Sequence, residues 1–157
     1  MQPLATQNLA RTLMNAHGLS DWSFRFGSAV RQAGSCSYRK RTITLSKPLT
    51  SGWTEAAVRN VILHEIAHAL VGPGHGHDRA WRGVARGIGC TGDRCWSESE
   101  DSPRVPPTWI GRCPKCPSTM GRYRRPSARY SCSKCSRGRF NEKYLIQWER
   151  AAAAKAA

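Results

Sequence analysis

No apolar run in these 157 residues approaches the roughly 20 that a membrane helix needs, so no spanning segment is expected. The opening stretch, "MQPLATQNLARTLMNAHGL", lacks the basic start and apolar block of a secretory signal. A cytoplasmic, nucleic-acid-associated monomer is the expectation. Internal repeats are absent. Acidic side chains are scarce, ten against 25 Lys and Arg, which leaves a formal charge of +15. A charge of that size points to a polyanionic partner, most simply nucleic acid, and no membrane partner is expected.

The basic residues are unevenly spread. Residues 1–104 carry 13 basic and 8 acidic side chains, a net of +5, whereas 105–157 carry 12 and 2, a net of +10. Of the 25 basic residues, 19 are Arg, whose forks suit phosphate geometry, although a coding bias toward Arg produces the same composition.

The length fits one domain with a small appendage. The N-terminal stretch reads as an amphipathic helix with Leu9, Leu13 and Ala16 on one side. "WSFRF" (22–26) and "RTITLS" (41–46) alternate like half-buried strands, and a third strand is read at Ala29–Ala33 before Gly34. Together they predict a small antiparallel meander, closed by turn residues in "KPLTSG" (47–52). Residues 54–71 predict a helix that "GPGHG" (72–76) stops, and "DRAWRGVARGIG" (78–89) predicts another with Asp78 near its start. The acidic, proline-rich "SESEDSPRVPP" (97–107) reads as a linker. The expected organisation is therefore α+β, with a domain at 1–96, a linker at 97–108, a cysteine-paired basic module at 109–148 and a low-complexity tail at 149–157. That tail either prolongs a helix begun at "EKYLIQWER" or frays.

"HEIAHAL" (64–70) carries the chemistry. Residues four apart on a helix share a face, so His64 and His68 can aim imidazole nitrogens at one ion. Glu65 lies beside them, placed as a general base for a metal-activated water. Two imidazoles in the apolar "VILHEIAHALV" would be costly to bury without a partner. A compact HExxHxxGxxH site needs Gly at 71 and His at 74, but the chain has Val71 and Gly74. Glu98 and Glu100 fall in the linker, a poor place for a rigid ligand. His75 and His77 remain as the third ligand, and His77 is favoured because the helix carrying Trp81 follows it directly.

"CPKC" (Cys113, Cys116) and "CSKC" (Cys132, Cys135) stand 15 residues apart, the spacing of a closed Cys₄ zinc site with a structural role. Such a module is too short to fold on its own apolar surface. Arg122, Arg124, Arg125, Arg129, Lys134, Arg137 and Arg139 interleave with Tyr123, Tyr130 and Phe140. The arginines as a group are read as phosphate contacts for single-stranded or irregular nucleic acid, and each aromatic as part of the module's small core. Cys36, Cys90 and Cys95 are assigned no chemistry.

"HEIAHALVGPGHGHDRAW" resembles the SprT-like (Spartan-type) metalloprotease domain, and "AGSCSYRKRTITLS" is similar to that family's strand region leading into the zinc helix. His77 and Trp81 keep the family's histidine-to-aromatic spacing, with Asp78 where Gly is usual. The resemblance covers roughly residues 5–95 and extends to a C-terminal zinc ribbon. It implies a zincin-like fold, one catalytic and one structural zinc, and a protease for DNA-bound or DNA-crosslinked proteins in DNA repair. The competing expectation is a nucleic-acid-binding regulator whose HExxH metal is not catalytic.

Overall fold

The computed structural model describes residues 1–93 and 105–152, and the chain divides into two units, Met1–Val105 and Pro106–Ala157. Pro3 opens α1 (Pro3–Ala16), a position where its missing N–H costs nothing. The buried stripe of α1 is Thr6, Ala10, Leu13 and Met14, with Leu9 half-buried and Ala16 exposed. This stripe is offset from the Leu9–Leu13–Ala16 line because Thr6 turns its hydroxyl back to the Gln2 carbonyl and so buries without an orphan donor.

Three strands follow: β1 (Ser23–Gly27), β2 (Gly34–Ser37) and β3 (Thr42–Ser46), in sheet order β1-β3-β2. The strand expected at Ala29–Ala33 is a loop. Its ends are tied to Ser46, whose hydroxyl donates to the Ala29 carbonyl and whose N–H donates to Ala33 at 2.7 Å. The sheet is also not an antiparallel meander. β2 and β3 form an antiparallel hairpin (Cys36↔Ile43), but β1 lies parallel on the other edge of β3 (Phe24↔Ile43, Phe26↔Leu45). The 28–33 connection separates β1 from the hairpin and lets it take that far edge. "KPLT" is not a plain turn but the short helix α2 (Lys47–Thr50), started by the Ser46 hydroxyl, which accepts from Leu49 N–H at 3.1 Å.

Thr54 caps α3 (Glu55–Val71), accepting from Ala57 N–H at 3.3 Å, with Glu55 in the positive first turn. Ala57, Val58, Val61, Ile62, Leu63, Ile66 and Ala67 are buried around most of its circumference, because α1, α4, β2 and β3 all pack on it. Gly72, at φ 87°, ends it. Asp78 caps α4 (Arg79–Gly87), its carboxylate accepting from Trp81 N–H at 2.9 Å. Trp81 and Ala85 are fully buried in the same core as Met14, Ile43, Leu45 and Ile62. Among the described residues, no helix is long and apolar enough to cross a membrane.

In the second unit, β4 (Trp109–Arg112), β5 (Thr119–Arg122) and β6 (Gln147–Arg150) form an antiparallel sheet in the order β5-β4-β6. The expected helix from "EKYLIQWER" is absent. Asn141 caps one 3₁₀ turn at Glu142–Tyr144, and the chain then extends into β6. Gly111 makes this pairing possible, since a Cβ there would sit 2.8 Å from the Trp148 ring. The core is Cys113, Cys132 and Ile146, lined by Met120, Tyr144 and Trp148. Tyr130 and Phe140 are exposed at 38% and 57%, not core as expected, because the thiols themselves fill the centre of this unit. Most of the expected linker, including Glu98 and Glu100, lies outside the described residues, as do Cys95 and the tail beyond residue 152.

Candidate metal centres

Helix α3 carries His64 and His68 one turn apart, and the loop after Gly72 brings His77 back over them. The His77 Nε2 lies 3.0 Å from His64 Nε2 and 3.2 Å from His68 Nε2. Two nitrogens about 2.0–2.1 Å from one tetrahedral ion stand about 3.3 Å apart, so the three imidazoles are set for such an ion. Burial, followed by the neighbouring His68 and His77, lowers the His64 pKa to about 4, and burial and His77 lower that of His68. Neutral rings with their lone pairs converging need a cation between them, and this donor set fits zinc. His75 does not join them; its Nδ1 lies 2.7 Å from Asp78 Oδ2 at the surface.

Trp81 backs the site. Its ring, fully buried, stacks on His68 at 5.2 Å and meets His64 and His77 edge-on at 4.6 and 4.5 Å. In the sequence Trp81 reads as an anchor for α4 and, through the family resemblance, as the aromatic four positions after His77, with no task at the metal assigned to it. The structure gives it a second task, as the wall that fixes all three rings.

Glu65 is 6% exposed, and burial raises its pKa to about 8. It opens into a cleft of about 750 Å³ floored by α3 and walled by residues 31–36, Tyr38, His75, His77, Thr91 and Asp93. Two wall residues escaped the sequence reading. Gly34, on β2, lies so close to Glu65 that a Cβ there would stand 2.6 Å from Oε1. The Tyr38 hydroxyl lies 2.8 Å from the carbonyls of both His68 and Gly72, closing the C-terminal turn of α3. An aromatic after a strand gives no local sign of that reach. Cys36 shares the cleft, where burial and then Glu65 push its thiol up to about 12, so it stays protonated.

In the second unit the two C-x-x-C turns face each other. Cys113 Sγ lies 3.8 Å from Cys135 Sγ, and Cys116 Sγ lies 3.7 Å from Cys132 Sγ. All four cysteines are free thiols. Thiolates about 2.3 Å from a tetrahedral zinc stand about 3.8 Å apart, which is the spacing found. The quartet leaves no side for a substrate. Arg122, Arg124, Arg125, Arg129, Lys134, Arg137 and Arg139 are all exposed on this unit. Three guanidiniums lie over rings: Arg122 over Tyr130 at 5.7 Å, Arg125 over Trp109 at 5.7 Å and Arg129 over Phe140 at 6.0 Å. Arg129 also pairs with Glu142 at 2.8 Å.

Residues 4–109 match the SprT-like family. No curated protein matches the chain in sequence. Among solved structures, a metallopeptidase zymogen, jannalysin from Methanocaldococcus jannaschii, is similar at 16% identity and a TM-score of 0.46. That alignment covers 52% of this chain and 79% of the other. With the match spanning most of its length and its HExxH histidines gathered at one metal position, the chain belongs to the SprT-like family, as a zinc metalloprotease of the HExxH type.

Proposed function

We propose that the chain is an endopeptidase for proteins bound or crosslinked to DNA, held at the nucleic acid by its ribbon. The observation that carries the catalytic half is the convergence of His64, His68 and His77 beside a buried Glu65 in one open cleft. When bound there, zinc supplies Lewis acidity to the scissile carbonyl and acidifies its water. Glu65 takes the proton from the attacking water and returns it to the leaving amine. Its depth in the cleft keeps bulk water from competing for that proton. β2, at the edge of the sheet and on the wall of the cleft, offers backbone hydrogen bonds to an extended peptide.

The Arg-capped rings of the second unit support the recruiting half. A ring that is exposed and already carries a guanidinium is suited to receive an unstacked base, with the arginines meeting phosphate. The test uses the full chain, zinc analysis and a DNA-binding protein as substrate, with and without DNA. Two zinc ions are expected per chain, one lost on replacing His64 and His68, the other on replacing the paired cysteines. Glu65→Gln should keep both ions and DNA binding yet stop cleavage. If wild-type protein leaves every protein substrate intact, with DNA or without, the chain is a nucleic-acid-binding regulator instead.

A further inference from the structure

The second unit sets two carboxylates, Glu142 and Glu149, against twelve basic side chains. Both are paired, Glu149 with Arg112 at 2.6 Å and Glu142 with Arg129 at 2.8 Å. Arg112 lies over no ring among the described residues, but Arg129 lies over Phe140, which is more exposed than Tyr130. Of the three arginines that cover rings, only Arg129 therefore has a carboxylate; Arg122 and Arg125 have none. The backbone fixes this meeting. Ser131 Oγ accepts from Asn141 N–H at 3.2 Å and donates to the Arg139 carbonyl at 3.4 Å. Ile146 N–H donates to the Tyr130 carbonyl at 2.8 Å, and Asn141 Oδ1 accepts from Lys143 N–H at 3.0 Å. These bonds fold residues 139–146 back onto 129–131. The pair itself is wet, with its side chains 62% and 68% exposed, so opening it costs no more than about fivefold in an equilibrium constant.

We propose that Glu142 is an internal stand-in for phosphate. In the unbound chain its carboxylate holds the Arg129 guanidinium over Phe140; a backbone phosphate of a single strand displaces it, draws Arg129 aside and opens the ring face to the adjoining base. Carboxylate and phosphate both accept the paired N–H donors of a guanidinium, so one ion pair is exchanged for another of the same geometry. The site then answers to a phosphate and an unstacked base arriving together. A base alone leaves the guanidinium in place, and a base within a duplex has both faces already stacked. The inference rests on the nucleic-acid reading of this unit.

The experiment titrates the full zinc-loaded chain against a fluorescent thymidine oligonucleotide and reads anisotropy at several salt concentrations. Glu142→Gln should tighten binding about three- to fivefold, the equilibrium cost of opening the pair. It should also steepen the fall of affinity with salt, by up to about 0.7 in the log–log slope, because Arg129 then meets phosphate without giving up an ion pair. In an Arg129→Ala background the same change should move affinity by less than about 1.5-fold, since no guanidinium is left to release. Phe140→Ala should weaken binding roughly 5- to 100-fold through the lost stacking. A carboxylate that served only the stability of the unit would shift the melting curve and leave affinity alone. Should Glu142→Gln fail to fold, Glu142→Ala takes its place with the same expected gain. Unchanged affinity in the folded variant, an equal gain without Arg129, or full affinity in Phe140→Ala overturns the proposal. The two levels separate cleanly. If the wild-type chain leaves the oligonucleotide unbound at roughly 50 mM salt, the nucleic-acid reading itself fails; if it binds and Glu142→Gln changes nothing, only the role of Glu142 fails.

Discussion

Replacing Gly34 with alanine tests how tightly the Glu65 carboxylate, the general base of the proposed mechanism, is seated. The new methyl group would lie 2.6 Å from Glu65 Oε1, 2.8 Å from Cγ and 3.0 Å from Cδ, where ordinary contact begins near 3.4 Å. The shortfall at the oxygen is about 0.8 Å, and it can be relieved in two ways. β2 can move out, but it is paired with β3 at Gly34↔Leu45, and the adjacent Ala33 carbonyl is held by Ser46 N–H at 2.7 Å. Glu65 can swing instead, and a carboxylate displaced by most of an ångström loses line with the water that the proposed mechanism has it deprotonate. Overpacking of this kind costs about 1–3 kcal/mol of stability, and a misplacement near 1 Å costs on the order of 100-fold in rate. We therefore expect Gly34→Ala to retain both metals, melt somewhat lower and lose about 100-fold in kcat on an unfolded protein substrate, with KM nearly unchanged. Gly83→Ala is the control. It lies on α4, a methyl group added there would meet nothing within 4 Å, and it should gain about 0.5–1 kcal/mol in stability with full activity. Wild-type kcat in Gly34→Ala would refute the reasoning, since it would mean that Glu65 works equally well from another position.

Two further outcomes follow from the same site. In metal-free protein, Glu65 has a folded pKa near 8 against the usual 4.5, so the folded state binds its proton more tightly. The penalty for burying the charge is absent below pH 4.5 and grows as pH rises toward 8; metal-free Glu65→Gln should therefore out-melt metal-free wild type by a margin that widens over that window, on the order of a few kcal/mol at its upper end. A constant margin from pH 5 to 8 in denaturant melts would contradict this. Tyr38→Phe removes the hydroxyl shared by the His68 and Gly72 carbonyls, with an expected loss of about 1 kcal/mol, or about 4–8 °C in Tm, and weaker metal retention at the histidine site. An unchanged melting curve would show that water replaces the hydroxyl at no cost.

The HExxH pair was legible because helical spacing alone puts His64 and His68 on one face, and the apolar residues around them announce α3. The choice of His77 over His75 was legible for a mechanical reason: a residue abutting a capped helix is held, while one between two glycines is not. Other features left no trace in a single sequence. Alternation in "WSFRF" and "TITLS" is the same whether the strands run parallel or antiparallel, so the side of β3 that β1 takes cannot be read from it. Gly34 looks like any glycine beside a turn, although its missing side chain is what admits Glu65. Asn60 looks like a solvated helix residue because its partner, Thr91, is 31 positions away. In the ribbon, Tyr130 and Phe140 lie exposed although the sequence suggests core, because four thiols occupy much of the space that rings fill in larger cores, leaving Tyr144 and Trp148 as the rings packed against it.

The parallel pairing of β1 with β3 has a consequence for how this molecule comes into being. β2 is separated from β3 by four residues, β1 by fourteen. As the chain leaves the ribosome, β1 emerges first yet has nothing to join until β3 is out. The nearby hairpin closes faster, since short loops form before long ones. α1 and β1 should then arrive as the closing pieces, and their amides should be the first to exchange with deuterated solvent when the native state breathes.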